Sequence, residues 1–199
     1  MEKIEFNSGD IVLEGLFTGG TADRSVVVTH PHPLYGGDMH NPVVQAVADA
    51  YIQAGYSCLQ FNFRGVGRSG GRFDDGRAEQ GDVLAAFAYL ADRGGGDICL
   101  AGYSFGSWVN AHITPKMAPV AHQAMVSPPV AFIDFSDIKE IPGLKFVVTG
   151  SRDDIAPPAM VAPMVPGWNA DATFDVLPGA DHFYSGCYER LKETILSSL

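Results

Sequence analysis

Ser104 sits at the centre of Gly102-Tyr103-Ser104-Phe105-Gly106, a G-x-S-x-G pentapeptide. ICLAGY before it reads as a strand, and SWVNAHI after it is compatible with a helix that Pro115 ends. A strand turning sharply into a helix around a serine is a nucleophile elbow. Its two glycines let the backbone bend without a Cβ clash, so the hydroxyl protrudes at a helix N-terminus. A serine hydroxyl is a weak nucleophile until a base takes its proton, and the base needs a carboxylate to orient it. The elbow arrangement orders these groups along the chain as serine, acid, histidine. LKFVVTGSRDDIAPP presents Asp153 and Asp154 just past a strand end, and VLPGADHFY presents His182 just past the last strand. Either aspartate satisfies the order. His112 and His122 read as surface or packing residues.

Two other motifs compete for the chemistry. THPHPLYGGDMHNP, residues 29–42, contains the H-x-H pair His30 and His32, and Asp38 and His40 could complete a metal-ligand set. A metal-dependent hydrolase is therefore the alternative reading. The familiar enzymes with that motif at a strand end are (β/α)₈ barrels of about 250 residues, more than this chain can supply. Gly65-Val66-Gly67-Arg68-Ser69-Gly70 is a G-x-G-x-x-G after a strand. Dinucleotide binding would need a helix opening at that loop and an acid about 20 residues on. Residues 71–76 intervene before any helix, and that distance falls among Leu84, Ala85 and Ala86. Neither a metal nor any other cofactor is expected.

These residues need a scaffold. A length of 199 residues suits one domain spanning 1–199, and 46% hydrophobic with 18% charged residues is a globular composition. IEFNS and IVLEGLF read as a hairpin turning at Gly9-Asp10. SVVVTH, YSCLQFNF, DICLAGY, HQAMVS, LKFVVTG and TFDVLPG follow as strands. Helices are predicted from Asn41-Pro42 to Gly55, over 78–92 with Val83, Leu84, Phe87 and Leu90 on one face, and over 187–198. This alternation predicts an α/β fold: a mostly parallel sheet with an antiparallel N-terminal hairpin and helices on both faces. Chemistry in such sheets sits at the carboxyl ends of the strands, where every motif above falls.

The formal charge of -10, with 13 scattered Lys and Arg, argues against nucleic acid or a membrane surface as partner. No run of about 18 apolar residues predicts a membrane span, and the charged start MEKIEFNSGD does not resemble a signal peptide. Cys58, Cys99 and Cys187 are odd in number and widely spaced, which predicts reduced thiols in a cytoplasmic protein.

HPHPLYGGDMHNPVV, FNFRGVGRSGG, GYSFG, SPPVAFIDFS, GSRDDIAPP and PGADHFY together resemble the α/β-hydrolase superfamily, within it a group of small lidless bacterial serine hydrolases with an HPHPxxGG loop. The resemblance runs from about residue 25 to 185. It implies the α/β-hydrolase fold without a cap domain. The family's acid sits in G-x-x-D-x-[IV]-x-P, matched by Gly150, Asp153, Ile155 and Pro157, so it implies Asp153 as the acid. Asn62 stands where many relatives have aspartate before the R-G-x-G turn, and is expected to brace that loop.

The resemblance also assigns the histidine-rich loop a backbone role. In such hydrolases the loop after this strand supplies one oxyanion amide, and the residue after the nucleophile, Phe105, supplies the other. Pro31 and Pro33 have no N–H, which leaves His32, with Leu34 second. His30 is expected to brace the loop and His40 to be exposed. The span from Pro128 to Gly143 is too short for a helical cap, so the site should be open. Leu34, Tyr35, Tyr103, Phe132, Ile133, Phe135 and Phe183 are the candidate pocket residues. The implied activity is cleavage of a small-molecule carboxylic ester or thioester through Ser104, His182 and Asp153. A non-catalytic ligand-binding protein on this scaffold would normally have lost a triad member, and none is missing.

Overall fold

The structure, a computed structural model, describes residues 1–114 and 120–199. Eight strands form one sheet: β1 (Glu2–Ser8), β2 (Ile11–Thr18), β3 (Arg24–Thr29), β4 (Ser57–Phe61), β5 (Asp97–Tyr103), β6 (Gln123–Val126), β7 (Leu144–Gly150) and β8 (Thr173–Leu177). Their spatial order is β1-β2-β4-β3-β5-β6-β7-β8. β1 pairs antiparallel with β2, and β2 antiparallel with β4; every later pairing is parallel. The hairpin turns where Gly9 takes a positive φ of 58°.

The unbroken apolar run in β3 follows from its central place. Successive side chains of a strand point to opposite faces. Val26 and Val28 pack toward α1 (Pro42–Gln53) and α6 (Tyr188–Ser198), against Val47, Tyr51, Leu191 and Ile195. Val27 points the other way, toward α2 (Arg77–Ala91) and α3 (Phe105–Ile113), against Val83, Leu90 and Val109. All three valines are fully buried, each contributing about 1.5–3 kcal/mol. A third cluster gathers on Val147 beneath the short helices α4 (Pro158–Val161) and α5 (Val165–Trp168).

α1 begins as expected. Asn41 Oδ1 accepts from the Val43 amide at 2.9 Å, Pro42 occupies the first turn, and Gly55 takes φ 87° just beyond the end. α2 rotates differently from the expected face: its buried positions are Glu79, Asp82, Val83, Ala86 and Leu90, while Leu84 is exposed. Position 84 lies about 100° around the helix from 83, which turns it to solvent. Pro115, expected to end α3, lies outside the described residues.

The glycine-rich loop after β4 is built from turns, and no helix opens until Arg77. It is clamped by Arg64, whose Nη2 and Nε reach the buried Asp82 carboxylate at 2.6 and 3.0 Å. Glu79 accepts from the Asp74 and Gly76 amides at 2.9 and 2.8 Å, capping α2. No helix or strand interrupts 127–143 between β6 and β7, so no cap covers the carboxyl ends of the strands. Among the described residues no helix is long and apolar enough to cross a membrane.

Candidate active site

β5 delivers Ser104 at its carboxyl end with φ 52° and ψ −122°, a region that a residue with a Cβ rarely enters. Strain of this kind, about 1–3 kcal/mol, persists only where the surroundings over-determine the backbone. Here the Ser104 amide donates to Val126 O at 2.9 Å, and Ser107 Oγ donates back to Ser104 O at 2.6 Å. Gly106 permits the close approach that follows. A Cβ there would lie 2.6 Å from Thr29 Oγ1, 2.7 Å from Thr29 O and 2.8 Å from His30 O. The elbow is thereby pressed against the start of the histidine-rich loop.

Three loops then meet. His182 Nε2 is 3.0 Å from Ser104 Oγ, and its Nδ1 is 3.0 Å from both oxygens of Asp153. Asp154, the rival acid, is exposed. Ser104 and His182 keep 7% and 6% of their surface exposed, against 2% for Asp153, so the hydroxyl and imidazole can be reached while the carboxylate lies behind them. Burial by itself would raise the Asp153 carboxyl. The hydrogen bond and charge of His182, the Ala156 amide and the Ser127 hydroxyl outweigh it and hold the group below its ordinary value. An ionised carboxylate on Nδ1 fixes the neutral tautomer with its lone pair on Nε2, facing the serine hydroxyl.

The amides around the hydroxyl are equally specific. Between residues 31 and 37 the Tyr35 and Gly37 amides donate to His32 O, Gly36 to Pro33 O, and Leu34 to His32 Nδ1 at 3.2 Å. Pro31 and Pro33 have no donor. Among the described residues that leaves the His32 amide without a protein acceptor, and Leu34, the second choice, is engaged. Phe105 opens α3, so its amide has no carbonyl one turn back to bond. The His32 and Phe105 rings lie 4.9 Å apart, which places these two peptide segments side by side.

The side chains of the H-x-H loop serve the loop itself. His30 is fully buried; its Nε2 accepts from the Phe63 amide at 3.0 Å, so its Nδ1 carries the proton toward Pro31 O at 2.7 Å. Burial, opposed by that bond to Pro31 and by Asp38, lowers its pKa to about 4. Asp38 accepts from the His40 amide at 2.8 Å, and His40 is exposed. Among the described residues no group of three or more His, Cys, Asp or Glu side chains is arranged to hold a metal ion. Asn62 braces its loop: Oδ1 accepts from the Met39 amide and Nδ2 donates to Glu14 Oε1, both at 2.8 Å.

Two expected pocket residues face inward instead. Tyr103 is 1% exposed because strand alternation turns it beneath the site, where its hydroxyl donates to His182 O at 2.9 Å. Phe135 is 3% exposed and packs on Trp168 at 5.4 Å, serving the core. Ile133 is half-buried against two core clusters. Leu34, Tyr35, Phe132 and Phe183 are exposed, and Phe183 stands 5.6 Å from the His182 ring. Sequence reasoning missed Ser127 and Tyr184, whose buried hydroxyls meet at 2.8 Å. Both lie inside motifs quoted above, but no spacing rule marks them.

A nucleophile elbow at the carboxyl end of a mostly parallel, uncapped sheet, with an acid and a histidine from later loops, defines a hydrolase of the α/β class. The comparisons agree. A solved α/β serine hydrolase homologue from Coxiella burnetii is 33% identical, matching 100% of this chain and 97% of that one with a TM-score of 0.93. A lidless α/β serine hydrolase from Xanthomonas campestris is 29% identical over 99% of this chain and 92% of that one, with a TM-score of 0.89. An uncharacterised protein of Rickettsia prowazekii is 32% identical, covering 98% of this chain and 87% of its own length. No family model matches the sequence. The chain belongs to the α/β hydrolases.

Proposed function

We propose that the protein is a serine hydrolase cleaving carboxylic esters, with thioesters also within its chemistry. The observation that carries the reading is the unbroken run Asp153–His182–Ser104, each link 3.0 Å, on a strained elbow. Ser104 Oγ attacks the carbonyl carbon as its proton passes to His182 Nε2, and Asp153 holds the imidazolium. The negative charge forming on the carbonyl oxygen rests on the His32 and Phe105 amides, each such donor lowering the barrier by about 3 kcal/mol. Collapse breaks the ester C–O bond, and His182 returns the proton to the departing alkoxide. Water then gives a proton to His182, attacks the acyl-enzyme and releases the acid with free Ser104.

Esters suit this site better than amides because an alkoxide needs less help to leave than an amine. The absence of any cap over 127–143 and the exposed Leu34, Tyr35, Phe132 and Phe183 favour short or bulky acyl groups over a long sealed chain. The substrate is a small molecule, and the acidic surface disfavours nucleic acid and anionic membrane as partners. The free, buried thiols of Cys58 and Cys99 fit the cytoplasm.

Labelling by a fluorophosphonate probe together with cleavage of short p-nitrophenyl esters tests the assignment. Ser104→Ala and His182→Ala should each lose about 10⁴-fold or more in kcat, and Asp153→Asn about 10⁴-fold. Full labelling and turnover by Ser104→Ala would end the serine-hydrolase reading.

A further inference from the structure

An oxyanion amide acts only if its N–H points at the developing charge, and none of Ser104, His182 and Asp153 aims the amide of His32. The other end of the same peptide unit can. A trans peptide is planar, with its C=O and N–H directed oppositely, and the Pro31–His32 peptide is trans. Whatever holds Pro31 O therefore sets the direction of the His32 N–H.

Two contacts converge on that peptide. His30 Nδ1 lies 2.7 Å from Pro31 O, and its Nε2 lies 3.0 Å from the Phe63 amide nitrogen. The Phe63 N–H can only donate and Pro31 O can only accept. The two partners thus fix one neutral tautomer, with the proton on Nδ1 and a lone pair on Nε2. The imidazole is fully buried, and the Phe63 ring stands edge-on to it at 4.7 Å, which leaves it little room to turn. Gly37 backs the peptide from another side. A Cβ there would overlap Pro31 O and lie 2.5 Å from Pro31 C. Gly37 is not among the glycines with positive φ, so the position demands space and not an unusual backbone. A hydrogen bond accepted by a peptide carbonyl also polarises the unit, strengthening its N–H as a donor.

We propose that His30 is a positioning residue of the hydrolase, its Nδ1–H gripping Pro31 O so that the His32 N–H at the other end of the peptide is aimed at the oxyanion. The proposal rests on the serine-hydrolase reading above and on the His32 amide as one of its oxyanion donors. It gives the first histidine of the H-x-H pair a part in the reaction without touching the substrate.

Asparagine and glutamine at position 30 separate its two bonds. In His30→Asn the side-chain NH₂ can stand where Nδ1 stood and still donate to Pro31 O, while the Phe63 amide loses its partner. In His30→Gln the amide oxygen can reach the Nε2 position and still accept from Phe63, while Pro31 O is released. Each variant loses one buried hydrogen bond, so a role in stability alone moves both alike. His30→Gln should lose about tenfold or more in kcat for p-nitrophenyl acetate, short of the ~10²–10³ for a donor removed outright, with KM within about twofold. The inhibition constant of a trifluoromethyl ketone, whose adduct with Ser104 carries an oxyanion, should rise in step. His30→Asn should keep kcat within about threefold of wild type although its melting temperature falls as far. Gly37→Ala leaves His30 intact and displaces the same peptide, so it should repeat the His30→Gln kinetics, and it reports where a position-30 variant fails to fold. Equal kcat in folded His30→Asn and His30→Gln overturns the proposal, as does wild-type kcat and ketone affinity in His30→Gln or in Gly37→Ala. A wild type that neither reacts with a fluorophosphonate nor cleaves the ester sinks the hydrolase reading, and the role of His30 with it.

Discussion

Ser104 and His182 are 78 residues apart in the chain, and His182 and Asp153 are 29 apart, yet each pair meets at 3.0 Å. That accuracy comes from groups that never reach a substrate. Tyr103 is the clearest case, since its hydroxyl holds the carbonyl of His182 while its ring lies 5.4 Å from the imidazole. Tyr103→Phe keeps the packing and removes that one bond, leaving a buried carbonyl with one partner fewer. It should lower kcat about fivefold and stability by about 1–2 kcal/mol. Ester turnover and a thermal melt on the same preparation check this, and an unchanged kcat would reduce Tyr103 to a packing residue.

At the scale of elements, the site is a set of loops at the carboxyl ends of β3 to β8, and each loop is tied to another. His30 reaches from the β3 loop to the Phe63 amide, and Asn62 ties the β4 loop to Met39 and Glu14. Glu14 explains why asparagine stands at 62. Burial pushes its carboxyl up, but hydrogen bonds from the Arg68 amide and Asn62, with the Arg68 guanidinium, prevail and hold it below the ordinary value. An aspartate at 62 would set a second carboxylate within hydrogen-bond distance of an ionised one. Asn62→Asp should therefore lower stability by about 2 kcal/mol at neutral pH, and adding Glu14→Gln should recover most of it. Urea titration of the two variants measures this; a stable Asn62→Asp protein would show that Glu14 does not dictate the residue.

For the whole molecule, buried neutral histidines set the response to acid. His30, desolvated and fully buried, and His122, desolvated beside Lys145 and Arg24, each have a pKa of about 4 in place of the ordinary 6.5. As pH falls below 6.5 the unfolded chain binds protons that the folded one refuses, so stability drops until about pH 4 and then levels for these groups. Each contributes a loss on the order of 3 kcal/mol. Asp153, whose folded pKa is lowered, adds its loss below that window, once the unfolded carboxyl near 3.8 begins to take a proton. Urea midpoints between pH 7.5 and 4.5 should fall steeply in wild type and about half as steeply in His122→Gln. Equal slopes would remove His122 from the account.

Much of this was local enough to read directly. The Gly9 turn, the Asn41-Pro42 cap and the elbow around Ser104 depend on backbone chemistry within a few residues, and the serine, acid, histidine order follows from it. The inward face of α2 was not legible at Leu84, because a helix's rotation is chosen by the sheet it packs on. Tyr103 and Phe135 looked like pocket aromatics because hydrophobicity alone does not distinguish a wall from a core. By itself the sequence determined the class of fold and the residue types able to form the site. The family resemblance pointed to Asp153 and to the His32 amide, but only the tertiary structure shows Asp153 facing His182, the His32 amide left unpartnered, and Tyr184 and Ser127 bonded to each other. Those are matters of hydrogen-bond direction between segments brought together by β-strand pairing, and direction across such contacts is not encoded in any short stretch of chain.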